Sequence, residues 1–437
     1  MAWFSPFPPV RTGIAGRSAE LVAALRARGH EIDKYPEPRA HDFPWRQRRR
    51  RYDLVVYQFG NSSHHDYEWA YALKWPGLVV LHDTHLHHAR AALLLREKRI
   101  DDYRAEFRAN HPDVNPDAAE VAIAGFDSAL YYQWPMTRTL VAASRLIAVH
   151  GHGARREMID SAVFAEKIHS IRLGEGELVS AEREARARRD VRAKYGIDAD
   201  AILFGCFGGL TPEKRIPQIL AALAAMAPYA PSARLLLAGA GAAYYDPAAD
   251  AAAYGVSDRV SFTGYLEDDD ALTDHIAACD VSLHLRWPTA RETSGPWLRA
   301  LAAGKPTVIT DLAHLTDVPS LDPRTWRVQE ARDARHEAGA SAICVAIDIL
   351  DEDHSLRLAM RRLAADADLR ASLGRAAREY WTKEHSPDVM VADYERVMKM
   401  AASLAHGRIA EGASEGGEGG ANKLRDLLAP FGLKAPI

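Results

Sequence analysis

Short apolar runs alternate along the chain with longer segments in which apolar residues recur at helical spacing. In the first half, the runs predict strands at residues 3–4, 31–32, 53–57, 77–81, 146–149 and 169–171. The pattern restarts in the second half, with strands expected at residues 201–207, 234–238, 260–262, 281–283 and 307–309. Amphipathic stretches typical of helices, such as residues 18–28, 117–133 and 216–226, lie between them. This alternation favours an α/β protein with two Rossmann-like domains, each a parallel sheet flanked by helices.

Composition divides the chain further. Residues 182–194 are rich in Arg, Ala and Glu and predict a solvated helix or linker, so we expect domains at residues 1–178 and 190–384. A further helix is expected at residues 385–405. The stretch 406–437 begins with many Gly, Ser and Glu residues, which bury too little apolar surface to fold, and it predicts a flexible tail.

The overall composition is that of a soluble globular protein. Of 437 residues, 48% are hydrophobic and 26% charged, and the net charge of -4 gives no overall attraction to nucleic acid. Cys206, Cys279 and Cys344 are far apart and lack metal-ligand spacing, which favours core residues of a reducing compartment. The chain starts without a signal-peptide pattern and has no apolar stretch of membrane-spanning length, so we expect a cytoplasmic protein.

A basic run at residues 46–51 follows Trp45. One hypothesis is peripheral contact with the inner face of an anionic membrane through Arg48, Arg49, Arg50 and Arg51. A solvated loop before the next strand is an equally good interpretation.

A polar loop separates two predicted strands of the second domain. Thr293, Ser294 and Gly295 stand where a helix begins, so their N–H groups could face a phosphate, and Glu292 could accept hydrogen bonds from hydroxyls. An ordinary helix cap is the alternative interpretation.

Two glycines and a lysine follow the first strand of the same domain. Gly208 and Gly209 would let the backbone approach a ligand closely, and Lys214 could place a point charge on a diphosphate.

Histidines cluster after the strand at residues 77–81. His82 ends that strand, and Asp83 is its candidate orienting partner or a helix cap. Residues 58–67 follow a neighbouring strand and are candidates for acceptor binding, with surface loop as the alternative. A metal site built from the histidines at 85, 87 and 88 with residues 64–66 would need a third ligand at close range, so we expect no metal.

These motifs, in this order, resemble those of the retaining family 4 glycosyltransferases. Residues 207–215 resemble the family's Gly-Arg-Leu…Lys segment, and residues 292–306 resemble its Glu-x7-Glu region with the Gly-x-Pro tail. Residues 8–15 resemble its mobile glycine-containing loop, and residues 81–83 its strand-end histidine. Residues 380–381 and 393–394 resemble landmarks in helices that return to the N-terminal domain. The resemblance spans residues 1–400.

The resemblance implies a GT-B fold, with two Rossmann-like domains facing across a cleft and a C-terminal helix returning to the first domain. It also implies transfer of a sugar from a nucleotide-diphosphate sugar, most simply a UDP- or GDP-sugar, to an unknown acceptor with retention, without metal or cofactor. The implied roles are catalytic for His82, Asp83 and Glu292, donor-binding for Gly13, Gly208, Gly209, Lys214, Arg215, Thr293, Ser294, Gly295 and Arg299, and acceptor-binding for Thr12, Asn61, His65 and His85.

The chain departs from the family pattern at two positions. Gly209 stands where the family usually has an arginine, and Arg299 stands where it has the second glutamate, which usually holds the ribose. Arg215 or Arg286 could supply the missing cation. A catalytically silent GT-B scaffold therefore stays open, as does a sugar-nucleotide epimerase. A dehydrogenase is disfavoured, because the glycine-rich residues 239–243 do not follow the first strand of their sheet.

Overall fold

The computed structural model describes residues 1–125, 130–160, 164–329 and 341–404, so the expected tail at 406–437 lies outside the described residues. The chain forms two compact units. Unit 1 contains residues 1–172, residues 290–293 and the chain from Met390 onward. Unit 2 contains residues 173–289 and 294–389.

Unit 1 is built on a six-stranded parallel sheet in the order β2-β1-β3-β4-β5-β6. Its strands are β1 (Ala2–Phe4), β2 (Asp33–Tyr35), β3 (Val55–Phe59), β4 (Leu78–Leu81), β5 (Leu146–His150) and β6 (Ile168–Ile171). Its helices are α1 (Gly13–Ala27), α2 (Glu37–Ala40), α3 (Phe43–Arg49), α4 (Glu68–Lys74), α5 (His87–Arg96), α6 (Ile100–Asn110), α7 (Asp117–Ile123), α8 (Leu130–Gln133), α9 (Arg138–Ala143) and α10 (His152–Asp160).

The central strands of unit 1 are apolar except for Gln58 and His150 near their carboxyl ends, as expected of a parallel sheet covered on both faces. Every residue of β3, β4 and β5 is buried. In the register of the sheet, Leu81 lies opposite Phe59 on one side and Val149 on the other. The carboxyl ends of these three strands therefore meet at one edge, which positions the candidate site of unit 1.

Unit 2 holds an eight-stranded sheet in the order β13-β12-β14-β11-β10-β7-β8-β9, parallel except for the pair β12 and β13. Its strands are β7 (Leu203–Phe207), β8 (Arg234–Ala238), β9 (Val260–Gly264), β10 (Val281–His284), β11 (Thr307–Thr310), β12 (Ser320–Leu321), β13 (Val328–Gln329) and β14 (Cys344–Ile347). Its helices are α11 (Ala181–Lys194), α12 (Ile216–Ala225), α13 (Pro247–Ala253), α14 (Asp269–Ala278), α15 (Gly295–Ala302), α16 (Glu352–Ala365) and α17 (Ala367–Glu384). The last helix, α18 (Pro387–Ser403), belongs to unit 1 from Met390 onward.

Within unit 1, α18 packs on the sheet. The Tyr394 hydroxyl donates to Gln58 Oε1 over 3.2 Å, and the Trp3 and Tyr394 rings lie 5.9 Å apart. Arg172 Nε donates to Asp393 Oδ2 over 2.8 Å. The C-terminal helix thus packs on the first sheet, as the resemblance implies.

Two expected helices differ from the structure. The stretch 117–133 does not form one helix: α7 ends at Ile123, and Gly125 takes a φ of +86°, which turns the chain. Residues 182–194 form a helix, one of the two alternatives expected, but one stripe of it is buried rather than solvated. Ala187 and Val191 of α11 are buried, and Arg192 pairs with Asp280 at 2.7 Å. An arginine-rich composition concealed this apolar stripe.

Across the residues that the structure describes, we find no helix with the length and apolar character needed to span a membrane.

Candidate functional site

His82 follows β4 and sits in a buried hydrogen-bond network of unit 1. Its backbone N–H donates to Phe59 O over 2.8 Å, and its ring Nε2 lies 2.7 Å from Gln58 Oε1. Its Nδ1 lies 3.2 Å from His150 Nε2 and 3.5 Å from an Arg17 guanidinium nitrogen. Four elements of the unit, β3, β4, β5 and α1, therefore converge on one imidazole.

This network favours a neutral His82 in a single tautomer. Burial, and then the neighbouring His150 and Arg17, hold the pKa of His82 well below 6.5. Because the Gln58 carbonyl oxygen can only accept, Nε2–H of His82 donates to it. His82 is thus held in orientation and protonation state by its neighbours.

Asp83 and Asn61 connect the loop after β3 to α5. The Asn61 N–H donates to Asp83 Oδ2 over 2.8 Å, and Asn61 Oδ1 accepts from the Ala89 N–H over 2.9 Å. This arrangement uses the Asn61 side chain to satisfy an N–H of the first turn of α5. The placement does not favour Asn61 as an acceptor ligand.

Thr12 and Gly13 open α1. The Thr12 side chain accepts from the Ala15 N–H over 3.1 Å, and a Cβ built on Gly13 would meet no atom within 4 Å. Arg17, one turn further along the same helix, is the side chain that reaches His82.

His65 lies in the interior of unit 1. Its side chain is 1% exposed, and its Nδ1 lies 3.0 Å from Oε1 of the fully buried Glu68. Burial lowers the pKa of His65 to about 4 and raises the pKa of Glu68 well above its usual range. Both directions favour the neutral form, so the contact is a hydrogen bond between two uncharged side chains. This position offers no exposed edge to an acceptor.

The other histidines of the cluster after β4 contact different partners. His87 Nε2 lies 2.8 Å from the Tyr103 hydroxyl, and His88 stacks on Tyr131 with the ring centroids 5.5 Å apart. The His85 N–H donates to Ala290 O over 3.2 Å. Within the described ranges, no three His, Cys, Asp or Glu side chains are placed to hold a metal ion.

Residues 290–293 follow β10 along the chain but belong to unit 1. Arg291 has a φ of +66°, and its Nε donates to Glu157 Oε1 of α10 over 2.7 Å. Glu292 and Thr293 share this segment, so two predicted site residues lie in unit 1, whereas Ser294 and Gly295 lie in unit 2.

Lys214 is fixed at the carboxyl end of β7 in unit 2. Its Nζ donates to Phe207 O over 2.7 Å. Gly208 has a φ of +92°, and a Cβ on Gly239 would lie 2.2 Å from Gly208 O. Only glycine fits this close approach of two backbones beside a lysine.

Positive charge concentrates at this end of β7. Burial, followed by the nearby Lys214, lowers the pKa of His284 to about 3. The N–H of Trp287, the residue after Arg286, donates to Glu213 O over 2.8 Å, and Glu213 directly precedes Lys214. The backbone at Arg286, which the sequence suggested as a substitute cation, therefore lies near the backbone at Lys214.

The start of α15 lies beside Gly208. Ser294 Oγ accepts from the Trp297 N–H over 3.3 Å, and a Cβ on Gly208 would lie 3.7 Å from Pro296 Cγ. The positive end of α15, Lys214 and Gly208 therefore meet within one unit. This combination suits an anion such as a diphosphate.

Two predicted donor residues are engaged elsewhere. Arg215 donates from Nε to Glu352 Oε1 over 2.8 Å, and Arg299 Nη2 lies 2.7 Å from Glu175 and 3.0 Å from Asp269. These ion pairs do not favour either arginine as a diphosphate ligand. A Cβ on Gly209 would meet no atom within 4 Å. Packing therefore does not explain why this chain has glycine where the family usually has arginine.

The second unit matches a known family. Residues 201–346 match the family model described as glycosyl transferases group 1, a range that runs from just before β7 into β14. This part of the chain is therefore similar to a glycosyl transferases group 1 domain. The recognition made from the motifs around Lys214 and Glu292 is therefore confirmed for this part of the chain.

The curated relatives found are mannosyltransferases. The chain is 31% identical over 194 residues to the GDP-mannose-dependent alpha-(1-6)-phosphatidylinositol dimannoside mannosyltransferase of two Mycobacterium tuberculosis strains. The alignment covers 43% of this chain and 47% of the relative, so it spans about half the length of the curated relatives.

Solved structures resemble the whole described architecture. Sucrose-phosphate synthase from Thermosynechococcus elongatus has a TM-score of 0.63 at 14% identity, covering 91% of this chain and 98% of that one. Anabaena HepE in complex with UDP and glucose has a TM-score of 0.59 at 15% identity, covering 92% and 99%. WaaG, a glycosyltransferase of lipopolysaccharide biosynthesis, has 0.56 at 15%, covering 92% and 100%. These likenesses establish the fold, and the expected GT-B architecture is confirmed.

Sequence reasoning did not predict which residues hold His82, and it included Gln58 only in the candidate acceptor segment 58–67. Gln58 and His150 stand at the carboxyl ends of the two strands flanking β4, so strand register could have found them. Arg17 lies four residues after Gly13 on the same helix, which was a further signal. The resemblance implied that the helix carrying Tyr394 returns to the N-terminal domain, but it did not indicate the contact with Gln58.

Proposed function

We propose that the protein is a glycosyltransferase that moves a sugar from a nucleotide-diphosphate sugar to an acceptor hydroxyl with retention of configuration. The observation that carries this proposal is the cationic end of β7 in the group 1 domain. There Lys214, the glycine pair 208 and 239, and the start of α15 surround one position suited to a diphosphate.

The same geometry supports a metal-independent reaction without a cofactor. A leaving diphosphate develops negative charge as its bond to the anomeric carbon breaks, and two cations and a helix N-terminus are available to stabilise that charge. In a same-face displacement, the acceptor oxygen bonds to the anomeric carbon while its proton passes to a diphosphate oxygen. Glu292 would orient the donor hydroxyls, and the neutral imidazole of His82 would contact the sugar.

The first donor to test is GDP-mannose, because the curated relatives are named as GDP-mannose-dependent. UDP-sugars come second, since the HepE structures contain UDP and UDP-glucose. The relatives' acceptor is a phosphatidylinositol dimannoside, so a lipid-linked glycan is a suitable acceptor class for this chain as well.

Membrane contact through residues 48–51 forms a secondary part of the proposal. Trp45 on α3 is 57% exposed, and Arg49 lies over its ring at 4.0 Å from the centroid. Arg50 pairs with Glu31, which leaves fewer arginines to face a lipid headgroup. An exposed aromatic beside arginines fits a peripheral contact.

The test is the thermal stability of the purified protein with GDP-mannose, UDP-glucose, ADP-glucose, the free nucleotides or NADH. A ligand that binds the folded protein raises the melting temperature in proportion to the logarithm of its concentration over Kd. Selective stabilisation by one nucleotide-sugar class, reduced in Lys214→Ala, supports the proposal. Binding without donor turnover supports the silent scaffold, and stabilisation by NADH alone supports a dehydrogenase.

A further inference from the structure

A cavity lies in unit 1, and its lining does not include His82, Gln58 or His150. Its volume is about 310 Å³, within the range of small-molecule sites. Seven parts of the unit line it: the loop from β4 to α5, the end of α6, the end of α8 with the following loop, the start of α9, α10, Phe164, and the segment 290–293. Such a volume suits one substituted sugar ring.

The cavity has an excess of positive charge. Arg291 and Glu157 form an ion pair and neutralise each other. Arg138, at the start of α9, also lines the cavity, and among the residues that the structure describes no carboxylate forms an ion pair with it. One guanidinium charge is therefore left uncompensated, which favours an anionic ligand.

His111 adds a neutral donor to this wall. Its Nε2 accepts from the Met136 N–H over 3.3 Å, so the ring proton resides on Nδ1. Burial, followed by Arg138, lowers the pKa of His111 to about 4, so the ring stays uncharged at neutral pH. A neutral histidine beside an arginine leaves the positive charge of the cavity unchanged.

The remaining lining residues are both polar and apolar. They include Thr84 and Thr137 as well as Val141, Met158 and Phe164. A pyranose or cyclitol ring combines hydroxyl edges with C–H faces, so it matches a cavity that offers both.

The cavity is next to a residue of the proposed chemistry. Arg291, which lines it, directly precedes Glu292, and the His85 N–H holds Ala290 O at 3.2 Å. A ligand in the cavity would therefore contact the segment that carries Glu292.

We propose that this cavity binds the acceptor and selects a sugar or cyclic polyol that carries an anionic group, with Arg138 pairing to the anion. This inference rests on the proposed glycosyltransferase function. Of the residues predicted to bind acceptor, His85 lines this cavity, whereas His65 and Asn61 do not.

The test measures calorimetric binding of defined probes to the full chain. Mannose 6-phosphate and myo-inositol 1-phosphate test a phosphate, glucuronate tests a carboxylate, and mannose and inorganic phosphate test ring and anion alone. Arg138→Gln removes the charge, Arg138→Lys keeps it, and Met158→Trp enlarges an apolar lining residue. Arg96→Gln, an exposed arginine of α5 outside the cavity, is the matched control.

We expect the phosphorylated or carboxylated ring to bind at least about 10-fold more tightly than mannose or inorganic phosphate, because charged hydrogen bonds contribute that much. Arg138→Gln should weaken this binding about 10- to 100-fold, Arg138→Lys less, and Arg96→Gln not at all. Equal binding of mannose and its phosphate would overturn the anionic preference. Binding unaffected by both Arg138→Gln and Met158→Trp would overturn the site.

Failure of the cavity and failure of the proposed function have different signatures. If GDP or UDP stabilises the protein but no anionic ring binds, the cavity proposal alone is wrong. If an anionic ring binds through Arg138 but no nucleotide or nucleotide-sugar binds, the transferase assignment fails, and with it the role of the cavity ligand as an acceptor.

Discussion

The ion pair between Arg299 and Glu175 in unit 2 gives a quantitative prediction about a position that departs from the family pattern. Arg299 Nη2 lies 2.7 Å from Glu175 Oε1 and 3.0 Å from Asp269 Oδ2. The side chains of Arg299 and Glu175 are each 12% exposed, whereas Asp269 is 66% exposed. Arg299→Met removes the charge but keeps most of the aliphatic stem, so it tests the ion pair more than the packing.

The expected cost follows from the fate of the Glu175 carboxylate. Removing one partner of a buried pair costs about 3–5 kcal/mol. The carboxyl can instead take up a proton, which for an ordinary glutamate at pH 7 costs about 3.7 kcal/mol and therefore sets an upper limit. Asp269 adds little because solvent screens it. We expect Arg299→Met to lower the free energy of unfolding by about 2–4 kcal/mol at pH 7.

Thermal unfolding followed by circular dichroism at pH 8, 7 and 5 measures this loss. Unit 2 has about 200 residues, a size for which 1 kcal/mol shifts the melting temperature by about 2–4 °C, so the expected drop is about 5–15 °C. The drop should be largest at pH 8 and shrink toward pH 5, because a carboxyl that has lost its cation is favoured in the folded state only when protonated.

The double variant Glu175→Gln with Arg299→Met is the matched control. It removes both charges and should recover most of the lost stability, since no charged carboxylate remains in the poorly exposed position. A drop below 2 °C in Arg299→Met would refute the reasoning. A larger drop that does not change with pH would assign the loss to packing instead.

Three further predictions concern activity, membrane contact and pH. Lys214→Ala and Glu292→Ala should each lower kcat about 100- to 1000-fold with little change in melting temperature. The control variant Lys194→Ala, at an exposed lysine, should leave kcat unchanged. Full activity of both Lys214→Ala and Glu292→Ala would refute the assigned site. Charge reversal at residues 48–51 should weaken co-sedimentation with anionic vesicles, and unchanged binding would contradict membrane contact. The free energy of unfolding should fall from pH 6.5 to 5, because histidines of the unfolded chain bind protons that the same side chains do not bind when they are buried in the folded protein. A constant melting temperature over this range would contradict this prediction. The histidines with pKa values lowered to about 3 or 4 are His65, His87, His111 and His284.

The fold could be predicted because buried parallel strands leave a direct mark on the sequence. Strands such as β3 and β4 must be apolar on both faces, and their runs are visible without any partner. The edge strand β2 begins at Asp33, directly after the expected stretch at 31–32 and without overlapping it, since an edge strand has weaker sequence requirements. The end of α7 was not predicted. In the sequence, apolar residues keep their helical spacing beyond Gly125, whereas in the structure the helix ends at Ile123 and Gly125 has a positive φ.

The site was predictable only where chemistry coincides with a strand end or a helix start. His82, Lys214 and Ser294 satisfy that condition, and the structure places them at such ends. Arg138 and His111 come from helices far apart in sequence, and only the packing of unit 1 brings them to one cavity. No local pattern marks such residues.

The charge reversal at Arg299 is less disruptive than the sequence alone indicates. In this structure the guanidinium of Arg299 pairs with the carboxylates of Glu175 and Asp269, so the position holds no unpaired charge. A side chain lost by decay would be expected to leave an unbalanced charge or a hole, whereas this position holds a poorly exposed, paired arginine. The departure is therefore locally compensated, and it does not by itself favour a silent scaffold over an enzyme.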